Sequence, residues 1–527
     1  MTKIINAFIV DGTGKPGYPG DVLIDGGVIA AVGTVNAGAD ETIDAGGKTL
    51  CPGFIDIHRH CDAALFSGGA EKAGAIELLQ GITTCFAGNC GMAPVPNRPE
   101  TRAQLQNYVA PCLGSFENET FSSHQEYAGR LKSVPLPFNM GFFAGMGAIR
   151  IAAKGFEGTP YTQAEMEKAQ ALFREALDAG ARGLSIGLMY VPEAYCTPDE
   201  IAALARVMKG RGILCTHMRW ETERLPDAVS EVIAVAKQAE VPLEISHFKA
   251  AGVRAWGGAL ARAIDIIEKE RSGGMDITCD FYPYDCGSST MMQMLPPGFL
   301  AAGIDQALAG LNKPQNIERL RSLLESGEPG WDNLSKTIGW DRTIISSVTL
   351  TENRVFLGKT VSEAAREARA ADEAEFVARL MYAERGKVGI INRSMTQTDI
   401  DAIARLPYSI LISDALYGDM RGPHPRLTGA FPHFLRDFVF DRPVLPLETA
   451  VRKMSAAPAA RLGLFRRGVI APGMRADLLV FDNNAFRDEA TYLEPMKMAA
   501  GLSLAFVNGV TAVENAALTG ASAGRVV

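Results

Sequence analysis

Eight short apolar runs, each suited to a buried β-strand and separated by longer stretches, constrain this 527-residue chain more than any other feature. They are Gly53-Phe-Ile-Asp-Ile-His58, Ile82-Thr-Thr-Cys-Phe-Ala87, Asn139-Met-Gly-Phe-Phe-Ala144, Gly183-Leu-Ser-Ile-Gly-Leu188, Ile213-Leu-Cys-Thr-His217, Leu243-Glu-Ile-Ser-His247, Ile277-Thr-Cys-Asp-Phe281 and Ser409-Ile-Leu-Ile-Ser-Asp414. Helical signals lie between several of them. Thr197 can cap a helix whose first position is Pro198, with Asp199 and Glu200 on the positive end of its dipole and a glycine stop at Gly210 or Gly212. Met166 to Ala179, ending at Gly180, follows the same grammar. Strands alternating with helices imply an α/β fold with a parallel sheet, and eight is the number of a (β/α)8 TIM-type barrel. An open doubly wound sheet is the alternative.

Both ends of the chain differ from this middle. Val22 to Val32 holds two β-branched runs around Asp25-Gly26-Gly27, a hairpin signal. Ala476 to Asp482 and Leu504 to Val510 are strand-like and broken by turn residues. So long a chain exceeds one compact core. The expected division is a small β-sandwich shared by residues 1–52 and 466–527, around a catalytic barrel at 53–465. The stretch between the seventh and eighth runs, about 288–400, is too long for a simple βα connection and is expected to include a lid over the barrel mouth.

Composition narrows the partners. A net charge of −8 argues against nucleic acid, which requires basic surface. Nine scattered cysteines are no disulfide framework and suggest a reducing, cytoplasmic setting. No apolar run is long enough to span a membrane, and the first residues lack a signal-peptide pattern. A small molecule is the expected partner, with the oligomeric state open.

The chemistry is carried by histidines. Of seven, four stand at strand ends: His58, His60, His217 and His247. Polar side chains at the C-terminal ends of barrel strands converge on one site, and alternation along an extended strand turns His58 and His60 to the same side. These residues predict a metal centre. Asp414 ends the eighth run, where a carboxylate is costly unless solvated, paired or catalytic. Next to a metal it can take a proton from water and return it to a leaving amine. Cys90, in Gly88-Asn-Cys-Gly91, follows the second run; as a thiolate it is a zinc ligand, and as a thiol a small buried hydrophobe.

With these residues in place, Pro52-Gly-Phe-Ile-Asp-Ile-His-Arg-His60 followed by Asp62 resembles the opening signature of the amidohydrolase superfamily, and Pro472-Gly-Met-Arg-Ala-Asp-Leu478 its closing one. Gly81-Ile-Thr-Thr84 through Gly91, Gly183-Leu-Ser-Ile-Gly187, Ile245-Ser-His-Phe-Lys249 and Phe281-Tyr-Pro-Tyr284 are similar to the N-acyl-D-amino-acid deacylases (D-aminoacylases). The resemblance implies a zinc-dependent hydrolase of N-acyl-D-amino acids. It also implies one tight ion at Cys90, His217 and His247 and a second, weaker position at His58 and His60. Asp414 matches the general base, and Lys249, Tyr282, Ser288 and Arg426 match substrate-holding positions, the two cations suiting a carboxylate. Strand alternation turns Lys249 to the same mouth as His247, while Arg426 is expected on a loop with His424 and Pro425. The chain departs from the family pattern at Met146, Cys61, Cys286 and Trp220-Glu-Thr-Glu223, and Arg421 is a second candidate for the carboxylate. A cyclic amide hydrolase and a non-catalytic scaffold are the competing readings. The first is disfavoured because the fourth run offers Ser185 and no lysine, the second because the ligands are all present.

Overall fold

The computed structural model describes residues 1–66, 69–114, 116, 119–301, 303–418 and 424–527; Arg421 lies outside the described residues. The fold is mixed α/β. All eight apolar runs contain strands, at Phe54–Asp56 with Arg59–His60, Ile82–Ala87, Asn139–Phe142 with Ala144–Gly145, Gly183–Gly187, Ile213–His217, Leu243–Ile245, Ile277–Phe281, and Ser409–Leu411 with Ala415–Leu416. Each pairs in parallel with the next. The eighth returns to the first, with Ala415 opposite Arg59 and Leu416 opposite His60. Burial on both faces explains the unbroken apolar runs: Gly183–Gly187 and Ile213–His217 are buried throughout.

The helices start where local chemistry starts them. Thr197 accepts from the Glu200 amide and Glu200 reciprocates, with Pro198 in the first turn. The helix expected from Met166 begins earlier, at Gln163, because a capping box of Thr162 and Glu165 satisfies the orphan amides one turn sooner. Gly180, at φ 110°, ends it as expected.

Strands from both ends of the chain form one nine-stranded sheet. The edge of Thr2–Ile9 is shared by Glu41–Asp44 over residues 2–5 and Thr49–Pro52 at residues 8 and 9. Thr49–Pro52 then pairs antiparallel with Leu478–Phe481, which joins the two termini. Ile4, Ile9, Val22, Leu50, Leu478, Val480 and Phe506 belong to a small core of their own. The Asp25-Gly26-Gly27 hairpin forms, both glycines having positive φ as its tight turn requires. Between the seventh and eighth parallel strands, Cys286–Thr290, Thr343–Ser347 and Gly389–Arg393 build a three-stranded antiparallel sheet among helices. No helix among the described residues is long and apolar enough to cross a membrane, and all nine cysteines are free and buried.

A buried charge cluster fastens the eighth strand to the first. Arg59, between the two histidines, is fully buried and donates to Asp56 at 3.2 Å, Ser413 Oγ at 2.9 Å and the Leu427 carbonyl at 3.0 Å. Its Nε lies 2.9 Å from Glu77, close enough for an ion pair but out of line for a hydrogen bond. Burial pushes the Glu77 carboxyl up to about 7 against the pull of Arg59. Removing the cation strands two buried carboxyls. Arg59→Met is therefore expected to lower stability by about 3–5 kcal/mol, and Arg59→Met with Glu77→Gln to recover part of that loss. Chemical-denaturation midpoints measure both, and a wild-type midpoint for Arg59→Met would show that the cluster is not what joins the strands.

Candidate metal centre and active site

Four imidazoles, a thiol and a carboxylate meet at the C-terminal ends of the parallel strands. His58, His60, Cys90 and Asp414 form one buried cluster of donor atoms, and Cys90, His217 and His247 form another, with all donors in each within 4.8 Å of one another. Cys90 belongs to both. Its sulfur is 3.3 Å from His58 Nε2 and 3.5 Å from His247 Nε2. Asp414 Oδ1 is 3.4 Å from the Nε2 atoms of both His58 and His60.

Three of these residues sit just past their strands in the left-handed region: Cys90 at φ 53°, His247 at 34° and Asp414 at 51°. Such backbone costs about 1–3 kcal/mol per residue and persists only where the surroundings enforce it. At Asp414 the amide donates to the His58 carbonyl at 3.0 Å, and at His247 the amide donates to the Asp280 carboxylate. Beside Cys90, a Cβ on Gly91 would run into the buried Glu193 carboxylate, which also accepts from Tyr108 and from the Gly187 amide, each at 2.8 Å. Glu193 thus ties the cysteine loop to the fourth strand.

The electrostatics suit a cation. Burial holds all four imidazoles below their ordinary pKa, and so neutral, the state in which histidine binds metal. Burial also raises the Cys90 thiol well above its usual range, and a bound metal is what releases such a proton. Both ring nitrogens of His217 are buried without a hydrogen-bond partner. An orphaned imidazole beside Cys90 and His247 fits a metal ligand better than an unpaired polar group.

Asp414 is buried and donates nothing; its Oδ2 accepts from Arg426 Nη1 at 2.8 Å. Burial raises its carboxyl, but the Arg426 charge and a hydrogen bond with His60 outweigh that and hold it well below the carboxylate range. Arg426 also donates to the Ser288 carbonyl at 3.2 Å and stands 4.8 Å from the centre of the Tyr282 ring, while its buried Nε has no partner. Lys249 flanks the same ring at 5.9 Å and pairs with Glu221 at 2.6 Å.

All of the sequence-derived site residues except His58, which is buried beneath, line one pocket. Two arrive by routes other than those expected. The sixth strand stops at Ile245, so Lys249 reaches the site through a turn that folds it back onto the His247 carbonyl at 3.1 Å, and not by alternation. Arg426 opens the helix Arg426–Leu435 and is not on the loop. Met146, at a departure from the family pattern, is buried at the start of the helix Met146–Ala153.

The sequence reading passed over Glu221 and Asp280. Glu221 Oε1 lies 3.0 Å from His247 Nδ1, and Asp280 Oδ2 lies 3.5 Å from His58 Nδ1. Asp280 stands one residue before the end of an apolar run, much as Asp414 ends its own, so the same argument could have found it. Glu221, within the atypical Trp220–Glu223 stretch, had only its place four residues after His217 to mark it.

The amidohydrolase family model matches residues 41–307 and 341–511. D-aminoacylase of Alcaligenes xylosoxydans xylosoxydans is 32% identical over 98% of this chain and 95% of its own length. N-acyl-D-glutamate deacylase of the same organism is 32% identical over 96% and 92%. The crystal structure of the Bordetella bronchiseptica N-acyl-D-glutamate deacylase, complexed with zinc and a phosphonate mimic of the tetrahedral intermediate, superposes with a TM-score of 0.83 at 29% identity, covering 100% of this chain and 98% of that one. The match over most of the chain, together with donors gathered at the ends of its parallel strands, makes this chain a member of the amidohydrolase family.

Proposed function

We propose that the protein is a zinc-dependent hydrolase that cleaves the amide bond of an N-acyl-D-amino acid. One observation carries the reading: a buried three-donor cluster, a carboxylate and two cations share a single pocket. Cys90, His217 and His247 would hold the tight ion, and His58 and His60 a second, weaker one. Three protein ligands leave a coordination position open, the arrangement of catalytic zinc. When bound, zinc supplies a Lewis acid that polarises the amide carbonyl and makes water a nucleophile at neutral pH.

Asp414 is the general base, taking the proton of the attacking water and passing it to the leaving amine. Arg426 and Lys249 hold the substrate carboxylate against Tyr282 and Ser288; the unpartnered Nε of Arg426 supports this role. The deacylase relatives support the D-amino acid. Ser185, which accepts from the Gly91 amide at 3.3 Å, leaves the fourth strand without the lysine a cyclic amide hydrolase uses. The parallel pairings that return to their start support a (β/α)8 barrel over residues 53–465, with part of 288–400 as its lid. The shared terminal sheet and its own core support a β-sandwich from residues 1–52 and 466–527.

His247→Ala is expected to abolish turnover and to lower the zinc that co-purifies, read by elemental analysis; a metal-replete, active variant would refute the ligand assignment. Asp414→Asn keeps its size and loses proton uptake, so zinc content should hold while kcat falls on the order of a hundredfold or more. Unchanged kcat would give the proton to another group. Arg426→Met frees Asp414 from its partner and removes a carboxylate contact. Every substrate should therefore lose rate, but an N-acyl amino acid about tenfold to a hundredfold more than its methyl ester. Equal losses for acid and ester would assign Arg426 to Asp414 alone.

A further inference from the structure

A second chamber opens off the metal pocket. Its cavity volume is about 150 Å³, against about 60 Å³ for that pocket, and it shares with it Met92, Cys112, Tyr190, Ser289 and Gln293. Its deeper walls are apolar, among them Met189, Leu300, Leu308 and Val348, whereas Asp305, Arg385 and Lys387 are exposed at its rim. The active-site cations are absent from it: neither Lys249 nor Arg426 lines it. It is reached past Met92, two residues beyond Cys90, and past Tyr190, whose ring packs on His217 at 4.7 Å. It therefore opens on the side of the Cys90–His217 donors, while the cations flank Tyr282.

This division orients the substrate. An N-acyl amino acid has a carboxylate on one side of its amide and an acyl chain on the other. With the carbonyl at the donor cluster and the carboxylate at Arg426 and Lys249, the acyl chain is directed past Tyr190 into the chamber. An acetyl group would leave most of that space unused, since the chamber has more than twice the space of the metal pocket. Methionines at the entrance can re-pack around chains of differing length, and Gln293 Nε2 donates to Met189 Sδ.

We propose that the chamber selects N-acyl amino acids whose acyl group is a hydrocarbon chain longer than acetyl. The inference rests on the deacylase reading. In the reaction, water adds its oxygen to the acyl carbon, the C–N bond breaks, a water proton goes to the amine, and the carboxylate of that chain and a free amino acid leave. No oxidant or co-substrate is required.

The test is kcat/KM for the zinc-loaded enzyme on N-acetyl, N-hexanoyl and N-dodecanoyl derivatives of D-leucine and D-glutamate. Burial of each added methylene is expected to raise kcat/KM by up to about fourfold until the chamber is filled. Leu308→Trp, and separately Met292→Trp, narrow the chamber at a distance from the donor cluster. Each should cost the dodecanoyl substrates at least tenfold and leave the acetyl substrates within about twofold, which also verifies that the variant has folded. A flat or falling response to chain length with active acetyl substrates would overturn the inference and leave the deacylase reading intact, as would equal losses at every length in both variants. No turnover of any acyl length would overturn the deacylase reading, and the inference with it.

Discussion

The site depends on the junction at which the last parallel strand meets the first. Two residue pairs, Ala415 with Arg59 and Leu416 with His60, complete the run of parallel ladders. Such short pairing contributes little on its own. The buried guanidinium of Arg59 adds reach: it joins Asp56 on its own strand, Ser413 on the eighth and the Leu427 carbonyl in the helix beyond. The histidines on either side of it and the aspartate next to Ser413 then share one oxygen, Asp414 Oδ1, at equal distances of 3.4 Å. A buried ion cluster is weak evidence for stability, because desolvation offsets much of the attraction. What it provides here is register, and with register the convergence of two elements more than 350 residues apart in the chain.

Much of this was legible in the sequence because burial on both faces leaves a simple mark. The eight runs are mainly apolar because a polar group in a strand that is covered twice must be hydrogen-bonded or paired, and a histidine, cysteine or aspartate at the end of one needs partners that offset its desolvation. Boundaries were less legible. His247 and Asp414 read as the last residues of their runs, yet each lies beyond the hydrogen-bonded strand at positive φ, held by tertiary contacts that no local preference encodes. Lys249 shows the same limit. A period of two predicts its turn toward the mouth, but the strand has already ended at Ile245 and a turn brings Lys249 to the pocket. Glu221 was missed because neither charge nor spacing separates it from a solvated glutamate; only the fold puts it against His247.

The pocket is also divided by polarity. Its donors and cations come from the ends of the first, second, fifth, sixth and eighth strands and from the helix at Arg426, while the antiparallel insertion supplies Ser288, Asn392 and Ser394 to the same pocket and walls the apolar chamber next door. The strands that must be exact carry the chemistry, and the segment least constrained by the parallel sheet carries much of the surface that meets the rest of a substrate. That distribution lets specificity change through the insertion without disturbing the donors.

A single proton links the cationic side to the donor cluster. His247 Nδ1 has two neighbours, Glu221 Oε1 at 3.0 Å and Lys249 Nζ at 2.9 Å, and it cannot satisfy both in the same way. If Nδ1 accepts from the ammonium, the ring proton lies on Nε2, the nitrogen that faces Cys90, and no lone pair is left there for an ion. If Nδ1 donates to Glu221, Nε2 is free to bind. The second tautomer is the one a metal selects, and a carboxylate behind a ligating imidazole both fixes that tautomer and raises its basicity. Glu221 has a further role, because an ammonium 2.9 Å from a ligand ring would repel a cation in a buried site. Its contact with Lys249 at 2.6 Å offsets that charge and leaves the lysine protonated, its pKa raised by Glu221 against the burial that lowers it. On the proposed reading, the residue least visible in the sequence would thus allow a positive substrate-binding side chain to stand beside a positive metal.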